Sequence, residues 1–126
     1  MILIVDDEYF ALEFLRRKLA GFGFTTETAH TIKDAIEILK NDEQIRIVIS
    51  DLHLVEGSGI EVLKWVHENR PDIKKIIISA HTYESEMLDA KNARLYDYAL
   101  SKPVDIINEL VPMLRSFLGD DAPKEV

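Results

Sequence analysis

The chain has 126 residues, no cysteine and a formal net charge of -8, with 47% hydrophobic and 30% charged residues. That length fits one domain burying roughly two-thirds of its unfolded surface, and the lack of Cys excludes a disulfide scaffold and thiolate metal sites while agreeing with a reducing compartment. The negative charge argues against unaided nucleic-acid binding, because phosphate backbones select clustered Lys and Arg, and no apolar run approaches the length that spans a bilayer.

The opening Met1-Ile2-Leu3-Ile4-Val5 lacks a basic start and soon meets Asp6-Asp7-Glu8, so it reads as a strand and not an export signal. A soluble, cytoplasmic protein is the expectation. Residues 8–20 combine strong helix formers with Phe10, Ala11, Phe14, Leu15 and Leu19 on related faces, and Gly21 is placed to end the helix. Residues 24–29 are rich in β-formers but more polar, as an edge strand would be. Thr31 offers an N-cap to a helix whose Ile32, Ala35, Ile36 and Leu39 recur at helical spacing.

Ile45-Arg46-Ile47-Val48-Ile49-Ser50-Asp51 is a run of β-branched residues that stops at a carboxylate, the pattern of a strand buried on both faces. The following loop, residues 52–59, contains Gly57 and Gly59, which permit a sharp turn. Ser58 with Glu61 matches a capping box and opens a helix that turns Ile60, Leu63 and Val66 inward and ends near Asn69-Arg70-Pro71. Lys75-Ile76-Ile77-Ile78 leads into Ser79 as a further strand. Residues 84–92 predict a weaker helix, anchored by Met87, Leu88 and Ala90, and the most mobile of the set. Tyr98-Ala99-Leu100 runs into Ser101-Lys102-Pro103, and a last helix from about Asp105 carries Ile107, Leu110, Val111, Leu114 and Leu118. Pro112 interrupts it: an interior proline removes one backbone hydrogen bond and clashes with the carbonyl four residues back, so a kink or a delayed start is predicted. Residues 1–119 read as one domain and 120–126 as a frayed tail.

Five strands alternating with five helices give an α/β fold with a parallel sheet, since right-handed crossovers put helices on both faces. Ligands in such sheets bind beyond the carboxyl ends of the strands. Asp6, Asp7, Asp51, Ser79 and Lys102 all stand at those ends. Three carboxylates on one rim repel one another unless a hard cation sits among them, and Mg²⁺ suits a small set of oxygens completed by water and phosphate. Taken singly, each residue has a plainer reading: Asp51 as a turn former, Asp6-Asp7 as caps of the first helix, Lys102 as a solvated lysine, Ser79 as a strand-end hydroxyl. No pair of the four histidines has helical metal-binding spacing beside a third ligand. Only the combination points to phosphoryl chemistry.

Asp6-Asp7 after the first strand, Asp51 after the third, Ser79-Ala80 after the fourth and Lys102-Pro103 after the fifth make the chain resemble, over essentially its whole length, the receiver domain of two-component response regulators. The resemblance implies a doubly wound, flavodoxin-like fold with strand order 2-1-3-4-5. It implies that Asp51 accepts a phosphoryl group from the phosphohistidine of a sensor histidine kinase or phosphotransfer protein. Asp7 and Asp51, with the backbone carbonyl of His53, would bind Mg²⁺ directly and Asp6 largely through water; Lys102 and Ser79 would hold phosphoryl oxygens. His53 and His81 would flank the site and tune the lifetime of the phosphoryl group. The signal would leave through the surface of the fourth helix, fifth strand and fifth helix, to a downstream protein, an output domain or a second copy.

Two positions depart from the family pattern. Val55 stands where the family usually has proline, which should loosen the loop without removing a ligand. Ala99 stands where an aromatic switch residue is usual, with Tyr98 one place earlier; a shift of one residue on a strand turns the ring to the opposite face. Two other functions compete with the regulatory, non-enzymatic receiver. An aspartyl-phosphate phosphatase would usually carry a second Asp two residues after the nucleophile, where this chain has His53. A pseudo-receiver that has lost phosphorylation is disfavoured by the full set of polar residues.

Overall fold

The computed structural model of the chain describes residues 1–80 and 85–124. The elements in order are β1 (Ile2–Val5), α1 (Tyr9–Gly21), β2 (Thr26–Ala29), α2 (Ile32–Asn41), β3 (Ile47–Asp51), α3 (Gly59–Asn69), β4 (Lys74–Ser79), α4 (Ser85–Asn92), β5 (Tyr98–Ser101) and α5 (Val111–Leu118). The strands form one parallel sheet in the order β2-β1-β3-β4-β5. This is the expected doubly wound architecture. Among the described residues no helix is long and apolar enough to cross a membrane.

Alternation along the strands divides the core into two. Leu3, Val5, Val48 and Ile77 pack with Ala35, Leu39, Val62, Leu63, Val66 and Met87, the faces of α2, α3 and α4. Ile2, Ile4, Ile47, Ile49, Ile76, Ile78 and Leu100 pack with Leu12, Leu15, Leu19, Leu110, Val111 and Leu114, from α1 and the C-terminal helix. Strands covered on both faces read as near-continuous apolar runs: β1 is apolar and buried throughout, and β3 is buried throughout and apolar until Ser50 and Asp51 at its carboxyl end. The edge strands are the less buried ones: β2 is largely half-buried, and in β5 Tyr98 and Ser101 are exposed.

Local signals settle the helix starts. The Thr31 hydroxyl accepts from the Asp34 N–H at 3.0 Å, and Ser58 and Glu61 form both halves of the capping box that opens α3. Pro112 delays the last helix as the sequence predicts. Ile106–Leu110 first makes a π-helical turn, in which Glu109 and Leu110 both donate to the Asp105 carbonyl at 3.1 and 3.0 Å. The α-helix begins only at Val111, so Pro112 falls in its first turn, where a missing N–H leaves no bond unmade.

Four apolar residues depart from their expected faces. Phe10 and Phe14 of α1 are 80% and 57% exposed, Leu88 of α4 is 52% exposed and Ile107 is 65% exposed. In α1 the buried stripe is Leu12, Leu15 and Leu19. Phe10 and Phe14, four apart, share another face. The chain after α5 turns back along the sheet: Arg46 pairs with Asp121 at 3.2 Å and Arg115 donates to the Pro123 carbonyl at 2.6 Å. The expectations for His81 and for a fourth helix starting at residue 84 lie outside the described residues.

Candidate phosphoryl and cation site

Strand register builds the site. Val5 lies level with Ser50, Ser50 with Ile77 and Ile77 with Ala99. Asp6 and Asp51 therefore stand one step beyond a shared rung. Ser79 lies beyond Ile78, level with Ser101, and the Lys102 N–H donates to the Ser79 carbonyl at 3.0 Å. Asp51 is 8% and Ser79 1% exposed.

Carboxylate oxygens of Asp6, Asp7 and Asp51 all lie within 4.8 Å of one another. The Lys102 ammonium pairs with Asp51 Oδ1 at 2.9 Å. Asp6 accepts the Glu8 N–H at 2.9 Å, and Asp7 accepts the Val55 N–H at 2.8 Å. Burial pushes the Asp6 carboxyl above its ordinary value; the Glu8 N–H and Lys102 oppose the rise, while the charges of Asp51 and Asp7 add to it. Partial burial works against the Lys102 charge, but its hydrogen bond to Asp51 and the attraction of Asp51, Asp6 and Glu8 outweigh this and hold its pKa above the usual lysine value. The cluster is thus crowded with negative charge, with one ammonium in direct contact among the described residues.

The segment after Asp51 is more ordered than a glycine turn. His53–Leu54 pairs antiparallel with Gly57–Ser58, closing a small hairpin over Val55 and Glu56. Neither glycine of this segment has positive φ. Gly59 serves a different purpose from the expected turn. Its N–H donates to the Leu52 carbonyl at 2.7 Å, and a Cβ there would run into the Asp51 carbonyl oxygen and lie 2.6 Å from Ser50 Oγ. Helix α3 thereby starts directly against the Asp51 backbone. Val55, expected to loosen the loop, instead ties it to Asp7.

All five rim residues expected from the sequence stand at the carboxyl ends of the strands, and Asp6, Asp7, Asp51 and Lys102 form one contiguous cluster. His53 lies in the hairpin's first arm with an exposed side chain. Tyr98, 45% exposed, lines a groove with Asn108, Met113 and Phe117 on the α5 side. Ala99 packs toward the opposite core. The one-residue shift does turn the ring to the other face. Two contributors escaped sequence reading: the Val55 N–H and the close approach of Gly59. Only Gly59 carried a signal, as a glycine just inside a capped helix.

A profile of the response regulator receiver domain matches residues 2–115. The chain is 31% identical to the response regulator protein PilR of Pseudomonas aeruginosa over 96% of its own length and 28% of that protein's. It is 34% identical to the photosynthetic apparatus regulatory protein RegA of Rhodobacter capsulatus, over 82% of this chain and 55% of RegA. The chain therefore spans about half or less of these relatives. Among solved structures, the signal receiver domain of an HD domain-containing protein from Pseudomonas fluorescens superposes with a TM-score of 0.84 at 28% identity, covering 95% of this chain and 94% of that one. The response regulator protein TrrA from Thermotoga maritima, solved in complex with Mg²⁺-BeF, gives 0.81 at 26% identity over 93% and 97%. The chain belongs to the response regulator receiver domain family of two-component systems.

Proposed function

We propose that Asp51 is the phosphoacceptor of a two-component receiver, taking its phosphoryl group from the phosphohistidine of a sensor histidine kinase or phosphotransfer protein. The observation that carries the reading is the buried Asp51 carboxylate lying between two other carboxylates and the Lys102 ammonium, 2.9 Å away. In the transfer an Asp51 oxygen bonds to phosphorus as the phosphorus–nitrogen bond breaks, and the electron pair of that bond stays with the imidazole. Such a loose transition state asks for positioning and charge neutralisation more than for covalent help. Lys102 holds a phosphoryl oxygen, and the Ser79 hydroxyl donates to another. Receivers of this kind regulate rather than turn over substrate.

The donor set fits Mg²⁺: hard oxygens only, three carboxylates within reach of one another, more negative charge than one lysine offsets. Asp7, Asp51 and the His53 carbonyl would hold the ion directly, and Asp6 through water. Bound there, it supplies positive charge to the oxygens of the transferring group. Phosphorylation adds about -1.5 to -2 charge at pH 7, which draws Ser79 and its loop inward and alters the surface of α4, β5 and α5. Residues 1–119 act as this receiver and 120–126 as its tail, in the cytoplasm. The output lies in a further domain, a partner protein or a phosphorylation-dependent homodimer, in keeping with the greater length of the relatives.

The test is intact mass after incubation with Mg²⁺ and acetyl phosphate, for wild type and Asp51→Asn. One base-labile phosphoryl adduct on wild type alone supports the reading. No adduct on a folded, Mg²⁺-binding wild type overturns it in favour of a non-phosphorylated interaction module, and continuous hydrolysis of phosphomonoesters overturns it in favour of a phosphatase. Sedimentation before and after phosphorylation tests the homodimer.

A further inference from the structure

Val55 is 87% exposed, so its apolar side chain gains nothing from burial where it stands. Its backbone is another matter. The Val55 N–H donates to Asp7 Oδ2 at 2.8 Å, joining positions 48 residues apart. Proline, with no N–H to give, could not make this bond. Asp7 itself lies beyond β1, where no strand ladder holds its carboxylate.

We propose that the Val55 N–H is a positioning group for Asp7, holding its carboxylate turned into the cluster with Asp6 and Asp51 before a cation arrives. The inference rests on the reading of that cluster as a cation site. A carboxylate offers about four lone-pair positions; the amide takes one on Oδ2 and leaves Oδ1 for a metal. Hydrogen-bonding partners of ligating carboxylates orient the ligand and set metal affinity. Here the partner is the main chain of the hairpin that follows Asp51. The phosphoacceptor loop and the cation ligand are thereby ordered together, and the bond is set by backbone geometry rather than by a side-chain rotamer. Any residue except proline at position 55 supplies it.

The hairpin allows a clean test. Val55 lacks positive φ and follows the extended Leu54, conditions a proline tolerates at a turn. Calorimetric Mg²⁺ titrations compare wild type, Val55→Pro and Val55→Ala. Val55→Pro weakens Mg²⁺ binding about tenfold without lowering metal-free thermal stability, and Val55→Ala, which keeps the N–H, titrates as wild type. Amide exchange on the metal-free protein supplies a second readout: the Val55 amide is protected in wild type and loses protection in Asp7→Ala. Equal affinities in wild type and Val55→Pro, an equal loss in Val55→Ala, or an unprotected Val55 amide overturns this proposal alone. A wild type that takes up no Mg²⁺ overturns the cation reading, and this inference with it. Should Val55→Pro fail to fold, the exchange pair decides.

Discussion

The two halves of the rim are built differently. On the β1–β3 side, Asp6 and Asp7 each accept a backbone N–H, from Glu8 and Val55, and the Asp51 backbone is backed by Gly59. On the β4–β5 side, the charge that meets the Asp51 carboxylate among the described residues is that of a lysine side chain, itself 43% exposed, reaching across at 2.9 Å. One half fixes charge through the main chain; the other meets it with a flexible four-carbon stem. Under the proposed function, the half held by backbone geometry would take the cation, and the half held by a side chain the phosphoryl group.

The sharpest way to break this division is Lys102→Ala. Removing one preorganised charge partner of a transferring group costs on the order of 100-fold in rate, so phosphoryl uptake followed by intact mass should fall by about that factor. Mg²⁺ titration of the same variant should be undiminished, since the lysine is a competing cation and not a ligand. A parallel loss of Mg²⁺ binding would show that the halves are not separable.

Gly59→Ala strikes the rigid half. The added methyl meets backbone, which cannot swing away, and overpacking of this kind costs about 1–3 kcal/mol. Urea unfolding should show that loss, and a wild-type midpoint would mean that α3 slides easily over Asp51.

Asp6→Asn works the other way. Burial and its neighbours raise the Asp6 carboxyl, so the folded state resists its ionisation. The stability is fully present below the unfolded-state pKa and is lost as pH rises through the higher folded-state value. Metal-free Asp6→Asn should therefore melt higher than wild type at pH 7, with the gain shrinking as pH falls, while the asparagine oxygen keeps the Glu8 N–H. A gain independent of pH would assign the effect to something other than charge.

The smallest effect is expected from Tyr98→Ala. The ring is half exposed on the α5 side, away from Asp51, and substitutions at such places stay within about 0.5 kcal/mol, or roughly twofold. Phosphoryl uptake should change no more than that. A larger change would tie the ring to the lysine half.

Much of the site was legible because a parallel sheet translates sequence into position. Once Ile45 to Asp51 reads as a strand, its last residue must lie on the ligand rim, and the same logic lines up Asp6, Ser79 and Lys102. The capping box at Ser58 and the delay imposed by Pro112 were equally local, since each depends on a hydrogen bond made or missing within one helical turn. The face of α1 was not. Phe10 and Phe14 are as apolar as Leu12 and Leu15, and only packing against the sheet decided which stripe turned inward.

By itself, then, the order of apolar runs and polar stops determined the fold, the rim and the residues that meet on it, because strand period and crossover handedness leave little freedom. Tertiary structure alone decided how those residues are held. The Val55 amide reaches Asp7 across 48 positions, and Gly59 has room only for hydrogen against Asp51. Contacts of this kind depend on how separate segments come together in space: a backbone amide like that of Val55, common to nearly every residue, leaves no mark in the sequence, and Gly59 leaves only the glycine itself.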